Sequence, residues 1–134
     1  HLKSNDIRLD TNFTEKDVKV KVDPDQYKQI YINLFMNAIK AMDNGGFLTI
    51  EISLKWEEVF IMIEDTGKGI AEEEINKIFE PFYSSNSGGT GLGLSVVKRL
   101  VIQNNGIIDV KSQLNKGTKF IICIPHYRES EINE

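Results

Sequence analysis

A two-layer α+β sandwich is what this 134-residue sequence predicts: one mixed, mostly antiparallel sheet of about five strands with about three helices on one face. Short stretches of alternating apolar residues recur along the chain, as strands with a single buried face require. Between them lie longer stretches whose apolar residues return at helical spacing. Two breaks between strand segments, Lys55–Glu58 and Asn115-Lys116-Gly117, are short enough for hairpins, the second carrying the Asn and Gly that tight turns favour.

The elements follow in order. Asn5–Phe13 sets Ile7, Leu9, Thr11 and Phe13 on one side and reads as a strand. Val18, Val20 and Val22 alternate with lysines and predict a second, short strand running into Asp23. From Asp23 to Met42 the pattern is helical. Asp23 is a good N-cap, Pro24 suits the first helical position, and Gln26 is placed to reach back and close a capping box. At roughly 100° per residue, Tyr27, Ile30, Tyr31, Leu34, Ala38 and Ala41 share an apolar face, and Gln26, Asn33, Asn37 and Lys40 form a polar stripe along one border of it. Asn44-Gly45-Gly46 ends the helix.

Phe47–Lys55 alternates as a strand, and Val59–Glu64, beyond the turn Lys55–Glu58, reads as another, the two predicted as an antiparallel pair. Asp65-Thr66-Gly67-Lys68-Gly69-Ile70 ends the second of them. Ala71–Phe79 reads as a short helix opening on Glu72, Glu73 and Glu74, solvated residues that suit the helix dipole, and Pro81 stops it. Tyr83–Gly91 is Ser- and Gly-rich without periodicity, a flexible loop by composition. Leu92–Gln103 is helical again, with Leu94, Val97 and Val101 inward and Lys98 outward. Ile107–Leu114 and Thr118–Pro125 form a last hairpin around Asn115-Lys116-Gly117, and the tail after His126 is polar enough to fray. With no internal repeat and no linker, residues 1–134 read as one domain.

Composition bounds the function. A net charge of −4 argues against a nucleic-acid binder, which would present a basic surface, but leaves a nucleotide site open, because local amides and a metal outweigh net charge there. Cys123 is the only cysteine and reads as a core residue. No apolar run has the length of a membrane span and no signal peptide is evident, so the expectation is a cytoplasmic, monomeric domain without membrane contact of its own, whether or not the full-length protein is anchored.

Three places carry chemistry. On the first helix, Asn33 and Asn37 stand one turn apart at the rim of the core face. The amide oxygen of Asn37 suits a hard cation such as Mg²⁺, and Lys40, a turn on, can offer its ammonium to phosphate; solvent-facing boundary residues would give the same pattern. Asp65 ends a strand and is followed by two glycines that let a flat ligand approach. An ionised acceptor there suits the exocyclic amino group of adenine and repels the carbonyl of guanine, though read alone Asp-Thr-Gly is first a plain turn. Finally, Gly88–Gly93, GGTGLG, leads straight into a helix. No G-x-x-x-x-G-K-[ST] occurs, which excludes a P-loop, and the run lacks the G-x-G-x-x-G spacing of a dinucleotide-binding turn. Amides of Thr90, Gly91, Leu92 and Gly93 can nevertheless meet an anion at the helix start, and Pro81–Ile108 holds no Asp or Glu; a capped surface loop is the alternative.

In this order, Asn33-x-x-x-Asn37, Asp65-x-Gly67-x-Gly69 and Gly89-Thr90-Gly91-Leu92-Gly93-Leu94 resemble the GHKL ATP-binding superfamily of gyrase-, Hsp90-, MutL- and histidine-kinase-type modules. Gln29–Lys40 is similar to the N box of sensor histidine kinases, Ile78-Phe79-Glu80-Pro81-Phe82-Tyr83 to their F box, and Gly117-Thr118-Lys119-Phe120 to their closing strand, so the resemblance runs from about Val18 to Pro125. It implies a Bergerat-type fold and the catalytic, ATP-binding domain of a bacterial sensor histidine kinase, passing the γ-phosphoryl group of Mg-ATP to a histidine on a separate helical hairpin, for relay to a response regulator receiver domain. By the same resemblance, Asn37 is the Mg²⁺ ligand with Asn33 and Lys40 beside the phosphates. Asp65 reads adenine, Gly67, Gly69 and Ile70 border the base, and Thr90–Gly93 cradle the phosphates. Phe79, Phe82 and Tyr83 anchor a short lid, Ser84–Gly89, which lacks the Arg or Lys that many relatives carry there.

ATP-hydrolysing relatives usually place Glu where Asn33 stands, and an amide cannot deprotonate water, which favours phosphotransfer. An anti-sigma-factor-like serine kinase and a non-catalytic nucleotide-dependent interaction module are the alternatives. His1 and His126, the only histidines, lie outside any acceptor motif.

Overall fold

The computed structural model describes residues 7–13, 19–83 and 93–126. The elements run β1 (Ile7–Phe13), α1 (Pro24–Ala41), β2 (Gly46–Lys55), β3 (Glu58–Asp65), a 3-10 helix (Glu72–Lys77), α2 (Gly93–Gln103), β4 (Ile107–Gln113) and β5 (Gly117–Pro125). They build one five-stranded sheet in the order β1-β2-β3-β5-β4. β1 lies parallel to β2, so α1 is the crossover between them, and every other pair is antiparallel. The mixed sheet is therefore the expected one.

The core forms where the helices meet the centre of the sheet. Alternate residues of β3 (Val59, Ile61, Ile63) and β5 (Phe120, Ile122, Ile124) are buried, and the register sets Ile61 beside Ile122 and Ile63 beside Phe120. Ile30, Leu34 and Ala38 of α1, with Val97, Leu100 and Val101 of α2, complete the same buried cluster. Each such large side chain contributes about 1.5–3 kcal/mol on burial. Where β2 meets β3, Trp56 (φ 51) and Glu57 (φ 66) both take left-handed backbone, the mirror-image turn whose twist matches the strands it joins.

Some expectations are corrected. Val20 and Val22 belong to no strand among the described residues; they pack, half-buried, against the core. Alternation requires only one apolar side, and this segment supplies that without a partner ladder. The stretch expected as a helix over Ala71–Phe79 tightens to the 3-10 helix Glu72–Lys77, which buries none of its own residues, while Ile78 just beyond it is buried. On α2, Leu100 is buried and Leu94 only partly so. The lid, the preceding part of the glycine run and the tail beyond His126 lie outside the described residues.

The start of α1 also differs in one detail. Asp23 caps it as expected, accepting from the N–H groups of Asp25 (2.9 Å) and Gln26 (3.2 Å), with Pro24 in the first turn. Gln26 does not close a capping box, because the Asp23 N–H donates instead to Asn104 Oδ1 at 2.8 Å. Replacing a capping Asp by Ala typically costs about 1 kcal/mol. Asp23→Ala is expected to lose that much in urea unfolding at unchanged m-value; no loss would mean that the Asn104 contact alone secures this helix start.

Candidate nucleotide site

Because Tyr27, Ile30, Leu34 and Ala38 are drawn onto the sheet, the rotation of α1 is fixed, and its polar border falls toward α2. Asn33 and Asn37 are half-buried there and Lys40 is exposed. Asn33 Nδ2 donates to the carbonyl of Gly93 at 3.4 Å, so the border of α1 meets the start of α2. Lys40 sits in the last turn of α1, where a cation also complements the helix dipole.

Gly93 opens α2, whose first turn holds no acidic residue, and no described atom lies within 4 Å of where a Cβ on Gly93 would sit. The N–H groups of a helix's first turn lack intrahelical acceptors and favour an anion. Thr90, Gly91 and Leu92 lie outside the described residues.

Asp65 closes β3 and is only 4% exposed. Its Oδ1 accepts from the N–H of Gly67 at 2.8 Å, and the backbone N–H of its register partner Thr118 bonds the same carboxylate. Burial pushes the carboxyl above its ordinary range. The two N–H bonds oppose that rise, and the neighbouring charge of Glu64 adds to it. Two acceptor sites are thus committed to the backbone, leaving capacity on an ionised group for a further donor.

The following segment is strapped on both sides. Lys68 N–H donates to the Ala41 carbonyl at 3.0 Å, Lys68 carbonyl accepts from Asn115 N–H at 2.7 Å, and Ile70 N–H donates to Ser112 Oγ at 2.8 Å. The two glycines make this possible. A Cβ on Gly67 would meet the Ala41 carbonyl oxygen at 2.5 Å; one on Gly69 (φ 73) would strike the Gln113 carbonyl. In the structure both glycines hold the segment against the end of α1 and the β4–β5 turn. Half-buried Ile70 packs on the core.

Of the aromatics expected to anchor the lid, Phe79 packs edge-to-face on Phe120 (6.3 Å between centroids), with Lys98 Nζ 5.2 Å above its ring. Tyr83 is half-buried against the core, its hydroxyl buried without a partner among the described residues. Phe82 is a correction: at φ 67 and 76% exposed, it anchors nothing through burial. Three residues that sequence reasoning missed emerge here: Thr118, Ser112 and Asn104. Ser112 Oγ donates to the Gly117 carbonyl (2.9 Å) and lies 2.8 Å from Thr118 Oγ1, steadying the strand that faces Asp65. Strand register brings Ser112 to Thr118 and Thr118 to Asp65, and the packing of α2 on α1 brings Asn104 to Asp23; a sequence read one residue at a time shows neither.

A continuous border results. It runs from Asp65 through Gly67 to Ala41, back along α1 past Lys40, Asn37 and Asn33, and ends at Gly93. Among the described residues no group of three His, Cys, Asp or Glu side chains is gathered for a metal. A lone amide oxygen such as that of Asn37 fits Mg²⁺, which keeps several waters and shares its remaining positions with phosphates.

An α/β sandwich with an acidic strand end, an asparagine-bordered helix and a glycine-opened second helix defines a class of ATPase-like domains. The profile described as "Histidine kinase-, DNA gyrase B-, and HSP90-like ATPase" matches residues 22–128, and the chain belongs to that family. The sensor histidine kinase ZraS of Escherichia coli (strain K12) is 37% identical over 124 residues, 91% of this chain but only 27% of that protein. Among solved structures, the catalytic domain of histidine kinase ThkA in a nucleotide-free form is 33% identical at a TM-score of 0.78, covering 89% of this chain and 78% of that one. Full-length ShkA in complex with AMPPNP is 28% identical at 0.79, over 90% of this chain and 26% of that one. The fold is that of a histidine kinase catalytic domain.

Gly67→Ala is expected to destabilise the protein by about 1–3 kcal/mol, the usual penalty for forcing a group into packed space. A lowered urea midpoint checks this, and an unchanged midpoint would mean that Ala41 yields freely.

Proposed function

We propose that this chain binds Mg-ATP along the Asp65–Gly93 border and transfers the γ-phosphoryl group to a histidine on a separate helical hairpin, for relay to a receiver domain, in the cytoplasm. The single observation that carries this reading is the Asn33–Gly93 contact, which joins the asparagine border of α1 to the anion-favouring start of α2. Support comes from the family itself and from ShkA, a relative in fold whose structure holds an ATP analogue.

The chain's own groups divide the work. Asp65 accepts from the amino group of adenine, while Gly67 and Gly69 shape the turn beneath the base and Ile70 adds an apolar contact. Asn33 to Ala41 covers about 12 Å of helix, enough to accompany a nucleotide from base to phosphates. Asn37 would hold Mg²⁺, whose contribution is to neutralise charge on the phosphates. Lys40 and the amides at the start of α2, with Thr90, Gly91 and Leu92 ahead of it, add positive potential. Phe79 and Tyr83 secure the start of the lid. The incoming imidazole attacks phosphorus through its unprotonated nitrogen, the bond to the β–γ bridging oxygen breaks, and ADP leaves. No base is needed at the attacking nitrogen, which agrees with Asn rather than Glu at position 33. A carboxylate there could not donate to the Gly93 carbonyl, as the amide does.

Asp65→Asn removes a charge-assisted hydrogen bond of roughly 1.5–3 kcal/mol, so ATP affinity is expected to fall about ten- to a hundredfold. The sign of the pH effect follows from the raised carboxyl. As pH falls through that value the group takes up a proton and offers adenine only a neutral, weaker acceptor, so affinity declines on the acid side in the wild type and not in Asp65→Asn. Fold stability moves oppositely: this group's contribution is full below its unfolded value and is lost as pH rises through the raised one. Calorimetric titration across mildly acidic to neutral pH checks the affinity and urea unfolding over the same range the stability, and equal ATP affinity in the two proteins would remove Asp65 from the site.

The domain alone is expected not to label itself with γ-labelled ATP, and to label a separately supplied His-bearing hairpin. Label on this chain without the hairpin would overturn the first half. An unlabelled hairpin, despite ATP binding, would leave only a nucleotide-dependent interaction module.

A further inference from the structure

We propose that Asn104 is a positioning residue for the phosphate end of the site, a buried clamp at the far ends of α1 and α2 that sets their register and so the placement of Asn33 opposite Gly93. The inference rests on reading the α1–α2 border as the phosphate side of a nucleotide site.

Asn104 follows α2 and is 8% exposed. Its side chain is fully engaged in short bonds. Oδ1 accepts from the Asp23 N–H at 2.8 Å, and Nδ2 donates to Gln26 Oε1 and to the Leu100 carbonyl, each at 2.8 Å. Its own backbone N–H bridges the carbonyls of Leu100 and Val101 at 3.2 Å. One amide thus grips the N-cap of α1, a first-turn side chain of α1 and the last turn of α2. Only an amide supplies the required acceptor and two donors in so small a volume: Asp has no donor and Leu has neither.

The helices run antiparallel, since the end of α2 meets the start of α1 while Gly93 meets Asn33 further along. The two attachments differ greatly in strength. At Gly93 there is one exposed bond of 3.4 Å, for which water competes. At Asn104 there are three bonds of 2.8 Å, and an unmet partner there would be left with little water to replace it. Between them, Val97, Val101, Ile30 and Leu34 are buried, but apolar packing is non-directional and fixes the spacing of the helices better than their axial register. The strong polar clamp therefore determines where the weak contact falls. An 11-residue helix is about 16 Å of stiff rod, so an axial slip at Asn104 arrives largely undiminished at Gly93. Misplacing a reacting geometry by about 1 Å from afar can cost on the order of a hundredfold.

The test compares affinity for Mg-AMPPNP with affinity for adenosine, by NMR titration, in the wild type, Asn104→Ala, Gln26→Leu and Ile122→Val. Ile122, fully buried in β5, lies outside the proposed site and supplies a loss of stability without touching the clamp bonds. Asn104→Ala is expected to weaken Mg-AMPPNP about tenfold or more while adenosine, which presents only base and sugar, binds as before. Gln26→Leu removes one of the three bonds and is expected to show a smaller loss in the same direction. Ile122→Val changes neither affinity. Should the alanine variant not fold, Gln26→Leu, which leaves the Asp23 and Leu100 bonds in place, carries the same comparison. Equal losses for both ligands, or a loss matched by Ile122→Val, overturn the clamp and leave the nucleotide reading standing. A wild type that binds Mg-AMPPNP no better than adenosine overturns the phosphate-side reading and the clamp with it.

Discussion

Burial of one face of α1 on the centre of the sheet governs much of what this molecule can do. Ile30, Leu34 and Ala38 lie over the alternating apolar residues of β3 and β5, and their removal from water fixes the rotation of the helix. The consequence appears on the next face round. Asn33 and Asn37 are half-buried and Lys40 is exposed on that side, and Asn33 meets the start of α2. The hydrophobic pattern that stabilises the fold also aims the chemistry.

The other end of that edge is held by a costlier device. A carboxylate as buried as Asp65 is disfavoured in its ionised form, and two backbone N–H bonds offset this only in part. A ligand bringing a further donor supplies what the free protein lacks there. The segment beyond Asp65 is not left to wander: Lys68 is bonded to α1 on one side and to Asn115 on the other, and Ile70 is bonded to Ser112. Rigid support beneath a carboxylate with acceptor capacity to spare is how a site discriminates by hydrogen bonding rather than by shape alone.

Much of this was legible in the sequence, for identifiable reasons. α1 announced itself through Asp23, Pro24 and its 3.6-residue repeat, and β2, β3, β4 and β5 through short β-branched and apolar runs between turns; burial alternates cleanly along β3 and β5, the central strands. Asn33, Asn37, Asp65 and Gly93 were singled out as site candidates by order and spacing. What stayed hidden depends on residues distant in sequence. Asn104 takes the Asp23 N–H that Gln26 was expected to take, across 81 positions of chain. Thr118 reaches Asp65 only through strand register. Gly67 and Gly69 looked like clearance for a ligand, yet the space beside them is filled by Ala41 and Gln113. Val20 and Val22 alternate like a strand but pack without one.

The central claim is that one ligand spans the border from Asp65 to Gly93 with its phosphates at the asparagine end. NMR titration of the labelled wild type with AMPPNP, with and without Mg²⁺, tests it most directly. The account predicts that the amides of Gly67, Ile70 and Gly93 and the side-chain amides of Asn33 and Asn37 shift together with one affinity, and that omitting Mg²⁺ suppresses the Asn37 response far more than that of Gly67. Shifts confined to the opposite sheet face around Trp56, Phe60 and Met62, with this border silent, would contradict it.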